Sequence, residues 1–370
     1  MQSELRVDEN GAGDALVAGM LFGLLKGQAR ATRGADPPRS ARGGRNGIER
    51  LAAPMISDLF VLSDPVAEAL AQAAPVVALE STIITHGLAY PQNLATARAV
   101  EASVRAGGAV PATIAILEGR VRIGLSDAEL VFLAEAKGCH KVSRADFAAM
   151  LALGKAGSTT VAATAIAAHA AGISVFATGG IGGVHRGGEA TFDISADLDE
   201  LACTPVVVVS AGAKAILDLP KTLEVLETRG VPVLGYRTGD FPAFWSRKSG
   251  LAVPIRVDSA AEIAGIYRMQ RRLNLPAGLL VANPVAEADE IPLDVMARFI
   301  ETAQDRADAA CVRGKAVTPF LLAQIAELSD GRSVATNIAL IRNNAALGAE
   351  IAREIAKEIS SEKVGRTGPE

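Results

Sequence analysis

Glu80, His86, Asp193, Asp197 and Lys214 follow short apolar runs, where a chain tends to place side chains that do chemistry rather than packing. The run Val76–Leu79 delivers Glu80, then Ser81, Thr82, Thr85 and His86. The run from Ile173 to Ala177 delivers a glycine-dense stretch, Thr178 to Gly187, with His185 and Arg186 near its end and Asp193 and Asp197 beyond it. Val206 to Val209 delivers Ser210 and, four residues later, Lys214. A carboxylic acid and a lysine at two such ends suit general acid catalysis and nucleophilic attack. Desolvation by the apolar run before Lys214 would lower its pKa and release the amine. Plainer roles fit each residue as well. Glu80 could cap a helix or pair with a surface lysine, and Asp193 and Asp197 could serve "DISADLDEL" as N-caps. Lys214 could lie along the surface, and His169 could fill a helix among alanines.

The elements that must position these residues alternate between strand and helix. Val76–Thr82, Ala112–Gly119, Ile173–Gly180, Pro205–Gly212, Val231–Tyr236 and Gly278–Pro284 read as buried strands. Leu94–Gly108, Ser158–Ala171, Ser259–Leu273 and Leu293–Ala310 have helical spacing. Strands apolar on both faces and separated by helices predict an α/β fold: one sheet with helices packed on both faces, in a single large domain over residues 54–360. Ligands in such sheets sit at the carboxyl ends of the strands, where the candidate residues cluster. The glycine-dense loop lacks the helix and distant acidic residue of a dinucleotide fingerprint, so its glycines are expected to allow close backbone approach.

Composition narrows the function classes. The chain has 370 residues, 49% of them hydrophobic and 4% aromatic, and a formal net charge of −4. That balance speaks against general binding to nucleic acid or a membrane surface. Three widely spaced cysteines, Cys139, Cys203 and Cys311, suggest neither a zinc site nor a disulfide framework, and a reducing cytoplasm is the expected setting. No unbroken apolar window reaches the roughly 20 residues of a membrane helix.

Several long motifs together resemble the pseudouridine-5'-phosphate glycosidase family. They include "ALESTIITHGLAYPQNLATA", "GSTTVAATAIAAHAAGI", "FATGGIGGVHRGGEATFDISADL", "VVSAGAKAILDLPKTLEVLETRGVPVLGYRTGDFPAFW" and "GRSVATNIALIRNNAALGAEIA", and they span about Val76 to Ala352. The resemblance implies cleavage of the C–C glycosidic bond of pseudouridine 5'-phosphate to uracil and ribose 5-phosphate, a divalent metal (Mn2+, with Mg2+ an alternative), and a homotrimer. It matches Lys214 to the family's nucleophile, Glu80 to its proton donor and Asp193 to its metal ligand. Lys141, Val161, Ser195, Ala196 and Asp197 match substrate-binding positions. His185 and Asn337 lie in family motifs, expected near the sugar and the base. Trp245 stands where another aromatic is usual.

The first fifty residues fall outside that resemblance. Val7 to Gly27, with Gly11, Ala12, Gly13 and Asp14 before an apolar run, is similar to the last signature of the PfkB-type (ribokinase-like) sugar kinases. In that family the aspartate is the base and the glycine turn holds a phosphate. Residues 1–28 are read as an orphan kinase-like helix, and 29–53, which take in most of an arginine-rich stretch from Gln28 to Arg50, as a flexible linker. Only ten residues precede Gly11, so the sheet a kinase needs would be missing and no phosphotransferase activity is expected. A pseudouridine kinase, whose product is the glycosidase's substrate, is the expected pathway neighbour. Residues 361–370 are read as a disordered tail. Two other readings stay open: a ribokinase-like phosphotransferase, and a catalytically silent nucleotide-binding relative.

Overall fold

The computed structural model describes residues 58–365, without the side chains of Lys315 and of residues beyond 357. The kinase-like segment 1–28 and the linker 29–53 therefore lie outside the described residues. Eleven strands form one sheet. They are β1 (Phe60–Leu62), β2 (Val76–Leu79), β3 (Val110–Leu117), β4 (Arg120–Ile123), β5 (His140–Val142), β6 (Gly157–Thr159), β7 (Val175–Ala177), β8 (Val207–Ser210), β9 (Val233–Tyr236), β10 (Ile255–Val257) and β11 (Leu279–Ala282). The helices are α1 (Asp64–Ala71), α2 (Gln92–Ala106), α3 (Asp127–Glu135), α4 (Phe147–Ala152), α5 (Val161–Ala170), α6 (Gly188–Thr191), α7 (Ala196–Cys203), α8 (Leu219–Thr228), α9 (Ala260–Arg272), α10 (Leu293–Ala309), α11 (Val317–Leu328) and α12 (Arg332–Gly365). The last helix runs past the 360 boundary drawn from the sequence. Its serine- and lysine-bearing end carries no Pro or Gly before Gly365 that would stop it.

The strand order is β1-β4-β3-β2-β7-β8-β11-β9-β10, with β6 paired to β3 and β5 to β6. From β3 through β2, β7, β8, β11 and β9 to β10 the strands are parallel, so their carboxyl ends share one edge. Val, Leu, Ala and Phe176 fill both faces of β2, β7, β8 and β11, all of whose residues, Ser210 at the end of β8 included, are buried. The helices cover those faces: α12 packs on β2, β7 and β8, and α5 on β2 and β7. The chain leaves β2 toward β3 on one side and β7 toward β8 on the other. The β2–β7 seam is therefore the topological switch point, where such sheets open a crevice. Among the described residues no helix is long and apolar enough to cross a membrane.

Candidate active site

The switch point sets the first contact of the site. Leu79 on β2 is in register with Ala177 on β7, so the next residues, Glu80 and Thr178, leave the sheet side by side. Thr178 Oγ1 donates to Glu80 Oε1, and Thr82 Oγ1 donates to Oε2. Glu80 is only 9% exposed and caps no helix. Next to β7, β8 runs into Gly212, whose φ of +80° is a conformation L side chains rarely adopt. This turn lets Ala213 bridge Ile181, while the Lys214 N–H donates to Ile181 O at 3.1 Å. The Lys214 backbone is thus zipped to the glycine loop. Its side chain is half-buried between buried Ala213 and Ala215, with no carboxylate in ion-pair contact among the described residues.

The opposite wall is made by helix starts. Thr160 caps α5, and Val161 opens it. Ser195 Oγ caps α7, accepting from the Asp197 N–H at 3.3 Å. Neither Asp193 nor Asp197 is the cap. Asp197, buried, instead ties two elements together: Oδ1 accepts from the Ala162 N–H at 2.9 Å and Oδ2 from the Gly182 N–H at 2.8 Å. A Cβ at Gly182 would overlap the Ser195 hydroxyl and stand 2.8 Å from Asp197 Oδ2, so this position requires glycine.

Between these walls lies a cavity of about 400 Å3. It is lined by Glu80, Lys214, Lys141, Val161, His185, Asp193, Ser195, Ala196, Asp197 and Asn337, the ten positions singled out in the sequence. The geometry brings all ten together. Lys141 arrives on β5, opposite Ser158 of β6. Asn337 arrives on α12 and approaches Gly179. The His185 N–H donates to Asp193 O at 3.0 Å, which sets the two residues next to each other. Burial pushes the His185 imidazole below its usual pKa. The Asp193 carboxylate opposes that shift, and the Lys141 and Lys214 ammonium groups add to it.

Thr82, Thr178 and His86 also line or support the site; the sequence reading named His86 as a strand-end candidate but gave none of the three a specific role. His86 sits in a π-helical turn, Ile83–Gly87, with Nδ1 against the Thr85 hydroxyl and 3.3 Å from Ser158 Oγ. Burial first, then the Lys141 charge, holds its pKa down. The signal of Thr82 and His86 was present in the stretch "ESTIITH" and that of Thr178 in "FATGG", but only the three-dimensional neighbours of each side chain reveal its partner. An apolar wall of Leu217, Phe244, Pro319 and Leu322 completes the cavity.

Among the described residues no three His, Cys, Asp or Glu side chains are grouped to enclose a metal ion. Of the carboxylates that line the cavity, Glu80 accepts from two threonines, Asp197 accepts backbone N–H groups at both oxygens and Asp146 accepts from the Ser143 N–H, while Asp193 lies beside His185 and could hold an ion. A single carboxylate fits a hard ion that keeps most of its waters, such as Mg2+ or Mn2+.

Residues 65–354 match the family described as indigoidine synthase A like protein. A pseudouridine-5'-phosphate glycosidase from Jannaschia sp. (strain CCS1) is 65% identical over 296 residues, covering 80% of this chain and 98% of that one. One from Methylobacterium nodulans is 64% identical over 294 residues, covering 80% and 87%. The crystal structure of the prealnumycin C-glycosynthase AlnA in complex with ribulose 5-phosphate superposes with a TM-score of 0.76 at 40% identity, covering 82% of this chain and 99% of that one. An indigoidine synthase A-like protein from Thermotoga maritima gives a TM-score of 0.72 at 38% identity, covering 77% and 94%. By sequence and by fold, the chain belongs to the pseudouridine-5'-phosphate glycosidase family of indigoidine synthase A-like proteins.

Proposed function

We propose that this cavity cleaves the C–C glycosidic bond of pseudouridine 5'-phosphate, giving uracil and ribose 5-phosphate. The observation that carries the reading is the pairing of Glu80 and Lys214 at strand ends flanking one cavity, within a chain 65% identical to a glycosidase of that name. A C-glycoside has no lone pair on its leaving atom, so protonating the linkage alone cannot release the base. An electron donor on C1' is needed to take up the positive charge as the bond breaks. In this reading the Lys214 amine attacks C1' of the ribose and displaces the ring oxygen, which takes a proton, giving an open-chain amine adduct. The C1'–base bond then breaks as the nitrogen lone pair forms the imine at C1', which water hydrolyses to ribose 5-phosphate and the free amine. Glu80 protonates the departing uracil carbon.

The remaining residues bind and orient. Lys141 is placed as a point charge for the phosphate, beside the N-termini of α5 and α7, where Val161, Ser195 and Ala196 meet the cavity. Asp197 keeps that wall assembled. His185 faces the sugar, and Asn337 presents its amide to the base. Asp193 would hold a divalent ion, Mn2+ or Mg2+, whose chemistry is to neutralise charge near the phosphosugar. Cytoplasmic location, a homotrimer and a pseudouridine kinase as pathway neighbour are further parts of the proposal, supported by the family resemblance. The test is uracil release from pseudouridine 5'-phosphate with and without Mn2+. Metal-dependent release supports the reading, and no release under either condition refutes it. A silent binding relative would bind ribose 5-phosphate without any turnover.

A further inference from the structure

One face of α12 supports both strand ends that carry the reacting groups. Asn337, Ile341, Asn344 and Gly348 are spaced by four, three and four residues, so they lie on one side of the helix. Asn337 lines the cavity, and Ile341 packs behind Glu80 together with Leu79 and Ala177. A Cβ at Gly348 would stand 3.4 Å from Ala177 and Val77, so the helix lies close to β2 and β7.

Asn344, wholly buried, is the polar member of that row that does not reach the cavity. Its Nδ2 donates to Thr178 O at 2.8 Å, and its Oδ1 accepts from Asn283 Nδ2 at 3.0 Å. The Asn283 N–H in turn donates to Ser210 O at 2.8 Å, at the end of the strand that leads to Lys214. On the other branch, Thr178 donates its hydroxyl to Glu80. A leucine of similar shape would fill the same space, but it would leave the Asn283 amide and the Thr178 carbonyl without these partners. A buried amide bonded on both sides fixes strand ends in relation to one another more sharply than apolar packing does.

We propose that Asn344 is a positioning residue that holds Glu80, through Thr178, in register with the Lys214 strand end, through Asn283 and Ser210. The proposal rests on the roles given above to Glu80 and Lys214. The test uses the full-length chain and measures kcat and KM for uracil release, together with Tm. Asn344→Leu is expected to lower kcat by about 10- to 100-fold with KM within about threefold, as a misplaced reacting group does. Asn283→Ala, which removes one branch, is expected to lower kcat by a smaller factor of about three to ten. Leu133→Ala opens a cavity in the separate apolar cluster between α2 and α3. It should lower Tm while leaving kcat within about twofold.

Retention of kcat within about twofold in Asn344→Leu, or a loss matched by Leu133→Ala, overturns the proposal. If Asn344→Leu does not fold, Asn283→Ala decides by the same criterion. If the unsubstituted chain releases no uracil, the reading of function has failed, and hydrogen exchange decides the positioning role by itself. Amides of Thr178–Gly183 that exchange about tenfold faster in Asn344→Leu than in Leu133→Ala support it, and equal exchange overturns it.

Discussion

The two walls of the cavity each contain a buried carboxylate that accepts two hydrogen bonds, and they differ in what donates them. On the strand-end wall, Glu80 is met by the hydroxyls of Thr82 and Thr178. On the helix-start wall, Asp197 is met by the backbone N–H groups of Ala162 and Gly182. A hydroxyl can turn and become an acceptor, whereas a backbone N–H can only donate. The Glu80 surroundings therefore accommodate either the acid or the carboxylate, as a proton donor requires. The Asp197 surroundings demand an acceptor at both oxygens, as a structural clamp requires. On the proposed reading, two carboxylates that look alike in sequence thus divide into one that donates a proton and one that holds the wall.

That division can be broken by substitution, and the largest effect is expected at Lys214 rather than at Glu80. Lys214→Ala removes the nucleophile and should lower kcat by at least about 1000-fold with little change in Tm, read as uracil release by chromatography. Glu80→Gln should lower kcat by about 100-fold or more. Its stability should stay within about 0.5 kcal/mol in urea denaturation, because a threonine hydroxyl can accept from the new amide. Asp197→Asn should show the reverse pattern. One amide hydrogen must face a backbone N–H, so unfolding should become easier by about 1–3 kcal/mol, with a smaller loss of kcat and a raised KM. If Glu80→Gln proves the less stable of the two, the comparison fails.

The smallest expected effect is on pH dependence. Burial lowers the folded pKa of His86 below 6.5, so the unfolded chain binds a proton first as pH falls. Stability is retained above about pH 6.5 and declines as pH drops from there through the folded value. His86→Asn should flatten that decline in denaturation curves collected between about pH 7.5 and 5. An unchanged slope would show that His86 does not contribute to it.

Six of the eleven strands, β2, β3, β7, β8, β9 and β11, were legible because their apolar runs are bounded by Gly or polar residues, whereas β1, β4, β5, β6 and β10, each three or four residues long, were too short to stand out. The reading of Val231–Tyr236 contains β9, and that of Ser259–Leu273 contains α9. Apart from β9, whose end at Tyr236 coincides, strand ends were drawn two or three residues too long. The Val76–Thr82 run leaves the sheet after Leu79, where Glu80 and its threonines turn away to bond each other. The ten candidate residues fall around one cavity because family motifs and strand ends coincide. The clamp at Asp197 was not legible: its partners lie 35 and 15 residues away, on backbone atoms that carry no side-chain signature. The Asn283–Asn344 bond, across 61 residues, was hidden for the same reason. Asp193 and Asp197 resemble N-caps in sequence, yet Ser195 takes that place, because its short hydroxyl reaches the Asp197 N–H.

The most direct test of the central claim is covalent trapping. The full-length chain is incubated with pseudouridine 5'-phosphate, Mn2+ and borohydride, digested, and analysed by peptide mass spectrometry alongside Lys214→Ala. The account predicts uracil release accompanied by a reduced ribose-phosphate adduct on Lys214, with both absent from the variant. Uracil release without an adduct at Lys214, or undiminished release by Lys214→Ala, would contradict it.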